Sequence, residues 1–202
     1  MALTAAQLTT LGNDIAANTN TAPGTSGAIK DLAHDADNAF AVAAFYNLFP
    51  ASDYFGWRDD VPIGDVYNTV TWANYTPQDP ADSTVLYQNR ALLCQTKQMN
   101  LQLLLQGRTT FDAGRTNLRT GLNDATTSIP SGAGGINKSG GWANILPNLS
   151  RKLMNGEKVF AFDDGVGTGN TITDPRGAST NPDGVGYKGL IDPADIRAIW
   201  GI

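Results

Sequence analysis

PADSTVLYQNRALLCQTKQMNLQLLLQ, residues 80–106, is the stretch on which the fold turns. Proline in the first turn, Asp82 near the positive end and Gly107 at the close predict a helix of about 25 residues, roughly 38 Å long at the usual rise. Val85, Leu92, Met99 and Leu103 fall within about 40° on one side, and Arg90 and Lys97 share the opposite side. The first set is therefore expected to pack, and the basic row to face water or a partner. The last turns, LQLLLQ, are apolar almost all round, which implies burial in a helical bundle or between subunits.

Working outward, Thr4 is placed to cap a helix carrying Leu8, Leu11 and Ile15 and ending near Asn18. TNTAPGTSG reads as a linker, and Asp35 or Asp37 precedes AFAVAAFYNLF, an Ala-rich core helix that stops at Pro50. The aromatic segment SDYFGWRDDVPIGDVYNTVTWANYTPQDP reads as a short helix or an extended arm, with VYNTVTW alternating as a strand would. Asp112 is expected to cap a helix with Leu118, Leu122, Ala125 and Ile129 inside, on which Arg115 and Arg119 stack at i, i+4 and favour nearby anions. WANILPNLSRKLMNG reads as a helix interrupted at Pro147. The expected fold is mainly α: a helical bundle with a long central helix, an extended aromatic loop and a Gly-rich C-terminal arm, with room for a small β-hairpin. Residues 1–158 form the expected helical core and 159–202 the extended loop and arm, in one domain overall.

The chain has 202 residues, enough for one substantial core. Its start lacks the pattern of a signal peptide and no window approaches eighteen uninterrupted apolar residues, so a soluble protein with no membrane partner is expected. A single cysteine, Cys94, excludes an intrachain disulfide, and a single histidine, His34, removes most zinc sites and Ser/His or Cys/His schemes. The net charge of −5 hides an asymmetry. Residues 1–82 hold two basic residues against ten aspartates, whereas residues 83–158 hold nine basic against three acidic. Such a division suits nucleic-acid contact, an acidic face meeting a basic face on the next copy, or pairing within one monomer.

The most chemistry-like stretch, FAFDDGVGTGNTITDPRG at residues 160–177, fails as a nucleotide site. It has no lysine to reach a phosphate, and its glycines do not open a helix. Asp163, Asp164, Asn170, Asp174 and Asp183 are hard oxygen donors, but the EF-hand spacing and its glutamate are missing, and turn chemistry accounts for them. Asp59, Asp60 and Asp65 around Trp57 resemble a carboxylate pair beside an aromatic platform, with no second feature of a sugar cleft. An aromatic, acidic interface loop is the better account. No catalytic, cofactor or metal residue is assigned, and an enzyme is not expected. The basic tract Arg90, Lys97, Arg108, Arg115 and Arg119 lacks interleaved aromatics, which leaves at most non-specific contact with DNA.

Four segments, MALTAAQLTTL followed by IAA, the Trp57–Arg58 pair with Trp72, TNLRTGLNDA, and GYKGLIDPADIRAIW, together resemble a family of small virion proteins of tailed bacteriophages, of the head-to-tail connector or adaptor type. The likeness covers most of the chain in order, and the family's compact GTG-containing turn is lengthened here to residues 163–186. The resemblance implies a mainly helical subunit in a closed ring of about twelve copies. It also implies portal, tail or head-closure proteins as partners, DNA passing through the ring, and a place in the virion after assembly in the bacterial cytoplasm. Trp57, Arg58, Trp72, Arg90, Lys97, Arg115 and Arg119 are the expected interaction residues, with Ile199 and Trp200 as anchors of an arm ordered on assembly. A capsid decoration or minor head protein is the alternative, and a metal-dependent hydrolase using the aspartates the remote one.

Overall fold

The computed structural model describes residues 2–78, 86–133, 136–162, 177–178 and 181–202. They are mainly helical, with a few short strands. In chain order the elements are α1 (Ala5–Ala17), α2 (Ala36–Tyr46), β1 (Phe55–Trp57), β2 (Val61–Pro62), α3 (Ile63–Thr69), α4 (Tyr87–Leu105), β3 (Thr110–Phe111), α5 (Thr116–Thr126), α6 (Trp142–Ile145), β4 (Ser150–Lys152), α7 (Asn155–Val159), β5 (Ala161–Phe162), β6 (Gly184–Val185) and α8 (Pro193–Trp200). The chain divides into two compact units. One comprises Met1–Gly56, Lys152–Asp163 and Asp183–Ile202, and the other Trp57–Arg151 and Asp164–Pro182. Each has its own apolar core.

The first unit starts from a capping box, in which the Thr4 hydroxyl accepts from the Gln7 amide at 3.3 Å and the Gln7 side chain accepts from the Thr4 amide at 2.9 Å. That fixes α1, which buries Leu11 and Ile15 and stops at Asn18. Asp35 caps α2 by accepting from the Asn38 amide at 2.8 Å. Its Ala39 and Ala43 keep one face low, and α8 packs against it. The Asn47 side chain ties the last segment down, donating to the Ile191 carbonyl at 2.9 Å and accepting from the Ile191 amide at 2.8 Å. Val159, Phe160, Tyr187, Ile191 and Ile196 join the core of α1 and α2. This grouping cuts the chain differently from a division at residue 158, because residues on both sides of that point share one core. β5 and β6 form a small antiparallel pair, Ala161 opposite Val185 and Phe162 opposite Gly184.

The second unit packs α4 against α5, with Phe111, Trp142, Ile145 and Leu149 completing the core. β2 and β3 pair antiparallel, Val61 opposite Phe111. VYNTVTW, expected to suit a strand, instead enters α3 and a 3-10 turn over Trp72–Tyr75. Ile63 and Val66 supply its buried face, and the Thr69 hydroxyl donates back to the Asp65 carbonyl at 3.0 Å. Asp112 lies ahead of the expected cap position, since α5 begins after Arg115. Its carboxylate instead accepts from the Gly114 amide at 3.0 Å and from Arg115 Nε at 2.9 Å, which holds the turn before the helix. Past Trp142 the interruption at Pro147 is complete: α6 passes into a 3-10 turn, Leu146–Leu149, and then a strand. The start expected for the long helix, with Pro80, Asp82 and Val85, lies outside the described residues, as do Asp163, Asp164, Asn170 and Asp174 of the Gly-rich stretch.

Candidate functional site

Helix α4 is apolar on two sides. Cys94, Leu101 and Leu105 recur on one side and are fully buried, with Arg90 among them. Leu92, Met99 and Leu103 recur about half a turn away and are 64%, 55% and 61% exposed. Within this chain the expectation is therefore reversed: the set expected to pack is exposed, and Arg90, expected to face water or a partner, is buried. The physical reason is that Cys94, Leu101 and Leu105 form a seam against the Leu122 and Ala125 face of α5, and Arg90 is carried inward with it. Its Nη1 donates to the Gly132 carbonyl at 2.8 Å, and the guanidinium lies 5.8 Å from the Tyr87 ring centre. Burial pushes the Cys94 thiol above its ordinary range, partly offset by the Arg90 charge, as befits an inert core thiol.

The exposed stripe is flanked on one side by Gln88, Gln95 and Gln102, spaced by seven residues, and on the other by Asn89, Thr96 and Asn100. Among the described residues of α4 no charged side chain belongs to this exposed face, because Arg90 is buried and Lys97 is turned toward α5. The Lys97 ammonium donates to the Asp124 carbonyl at 2.5 Å, at the rim of a groove of about 650 Å³ between α4 and α5. Leu93, Leu103 and Leu104 wall the groove, and Gly121 and Ala125 form its low side. Ridge and groove lie side by side on the same helix.

The other residues singled out from sequence are scattered. Trp57 and Arg119 meet in the core of the second unit, the guanidinium 4.2 Å from the indole centre, and both are buried. Arg119 also donates to the Ala113 carbonyl at 2.5 Å and to the Thr116 hydroxyl at 3.1 Å. It therefore does not stack beside Arg115, which is exposed and paired with Asp112. Arg58 is mostly covered and pairs with Asp60 at 3.0 Å. Trp72 is 38% exposed, stacked on Tyr67, with its indole N–H donating to the Tyr67 carbonyl at 3.1 Å. In the first unit, Ile199 packs beside Gly12 of α1, and Trp200 stacks on His34 at 4.7 Å. These two are seated within their own unit, which half-buries them.

The sequence reading therefore named Leu92, Met99 and Leu103 for the wrong side and passed over the glutamines. The signal available was the seven-residue glutamine row beside an apolar row. A purely internal face would not carry those amides, and an ordinary wet face would carry charge. No protein-family model, curated protein or solved structure matches the chain.

Proposed function

We propose that the chain is a structural component of a tailed-phage virion, a head-to-tail adaptor whose copies form a ring that joins portal to tail and lines the DNA passage. The observation that carries this reading is the division between spent and unspent surface. Much of the acidic chemistry of the first unit is committed to holding the fold. Asp14 accepts from Tyr46 at 2.5 Å, Asp183 accepts from Tyr54, Asp195 accepts from the Leu3 and Asp192 amides, and Glu157 accepts from the Met154 amide. Among the described residues, the second unit leaves unspent an uncharged apolar helix face beside a groove, which suits a protein that acts by being bound.

In this reading the subunit is a helical bundle built on a long central helix, with an aromatic loop and a Gly-rich C-terminal arm. Its partners are other copies of itself, the portal, and tail or head-closure proteins. Exposed Arg108 and Arg115 are available for non-specific contact with passing DNA. The resemblance of the motif order to that of the connector family supports this station, and the uncharged apolar face supports action by being bound. Electron microscopy and native mass spectrometry of mixtures with the portal protein test it. The expected result is a ring seated on the portal; a protein that stays monomeric and never joins portal or tail contradicts it.

A further inference from the structure

We infer that the outer face of α4 is a self-association seam, whose occupant is a second copy of this chain, with the Leu92–Met99 ridge of one copy seated in the α4–α5 groove of its neighbour. The inference deepens the ring reading and rests on its claim that the chain self-associates.

Four features of the face select a copy of itself over other partners. The ridge and its flanking rows carry no formal charge, and the groove adds one charge of each sign at its rim, Lys97 and exposed Asp124, so nucleic acid or a highly charged protein gains no net electrostatic attraction there, while a second copy meets no net like-charge repulsion. The flanking rows are amides and a hydroxyl, each both donor and acceptor, and identical rows of such groups satisfy one another in either orientation. The shape is self-complementary as well. Leu92 and Met99 stand out from the helix, and the groove beside them is low where Gly121 has no side chain and Ala125 a methyl. The area is sufficient. Leu92, Leu93, Met99 and Leu103 are 51% to 64% exposed. At roughly 100 Å² each, with somewhat less from each of the six flanking polar residues, they reach the order of 800 Å² per partner that a specific interface buries.

The test compares the whole chain with two variants of opposite design, by native mass spectrometry and sedimentation over a wide concentration range, with circular dichroism as the check on folding. The double variant Leu92→Asp/Met99→Asp charges the ridge, and Gly121→Leu fills the groove. A Cβ at Gly121 meets Leu104 only at 3.7 Å, so the second variant keeps α5 intact and adds helix propensity. The expected result is a wild-type assembly whose midpoint concentration rises at least about a hundredfold in both variants, with helical content unchanged. A wild-type dimer lost in both variants supports the seam and contradicts the ring. Assembly that either folded variant leaves intact overturns the seam and leaves the ring reading standing. A wild type monomeric at every concentration overturns both.

Discussion

At the scale of single residues, two buried arginines carry opposite expectations. Arg119 has its guanidinium against Trp57 and donates to Ala113 and Thr116. Among the described residues, Arg90 has one hydrogen bond, to Gly132, and its Nε and Nη2 have no partner. Replacing Arg119 with Met strands the Ala113 carbonyl and removes the ring contact, so a loss of about 3 kcal/mol is expected in urea unfolding. Arg90→Met removes an under-satisfied buried cation and is expected to lie within about 1 kcal/mol of the parent or above it. Exposed Arg115→Ala should change stability by less than about 0.5 kcal/mol. Tyrosines set the alkaline limit. Burial pushes the Tyr75 hydroxyl up to about 12 from 10.0, and Tyr46 is raised further by burial and by its bond to Asp14. The neutral form is the folded form, so their contribution is complete below pH 10 and is lost as pH rises from there through about 12. Ultraviolet absorbance should show these tyrosines ionising together with unfolding; free titration of all six within a folded protein would contradict this.

At the scale of elements, the way α4 faces is directly measurable. Leu101→Ala, from a fully buried site, should cost about 2–5 kcal/mol, whereas Leu92→Ala at an exposed site should leave monomer stability nearly unchanged. Equal costs would contradict the orientation. Two glycines separate conformational need from space. Gly107 has φ of 71° with open space around it, and Gly141 has φ of 106° with the Thr69 carbonyl 2.7 Å from where a Cβ would stand. Gly107→Ala is thus expected to cost about 1 kcal/mol and Gly141→Ala clearly more, as read from thermal unfolding. The contrast among elements also explains what could be read from residues alone. α1 and the start of α2 at Asp35 were legible to within a residue or so, because Thr4 and Asp35 are local signals that act over three residues, whereas α2 stops at Tyr46, ahead of the expected end at Pro50. The turn of α4 was not, because a helix with apolar rows on opposite sides satisfies its own geometry either way. Only the partners, Leu122, Ala125 and Gly132 from later in the chain, decide which row goes in. VYNTVTW misled for the same reason: its short alternation fits a strand, and the burial of Ile63 and Val66 by distant residues made it helical.

At the scale of the whole molecule, two separate cores leave an uncharged helix face beside a groove as a conspicuous unspent surface of the second unit. The candidate site was therefore present in the sequence as residues 88–103, but whether the apolar row packs within the bundle or between subunits was left open, since composition reports that a face is apolar and not what covers it. The acidic first part of the chain and the basic middle remain a second source of steering between copies, sensitive to salt where the α4 seam is not. Raising ionic strength should slow assembly without abolishing it, as followed by light scattering. The role proposed above for this chain is a ring subunit of the neck of a virion. Its most direct test is the number of copies per purified phage particle, by quantitative mass spectrometry against the portal protein. The expected result is about one closed ring, on the order of a dozen copies. Several hundred copies would place the chain on the capsid surface instead, and none would remove it from the virion.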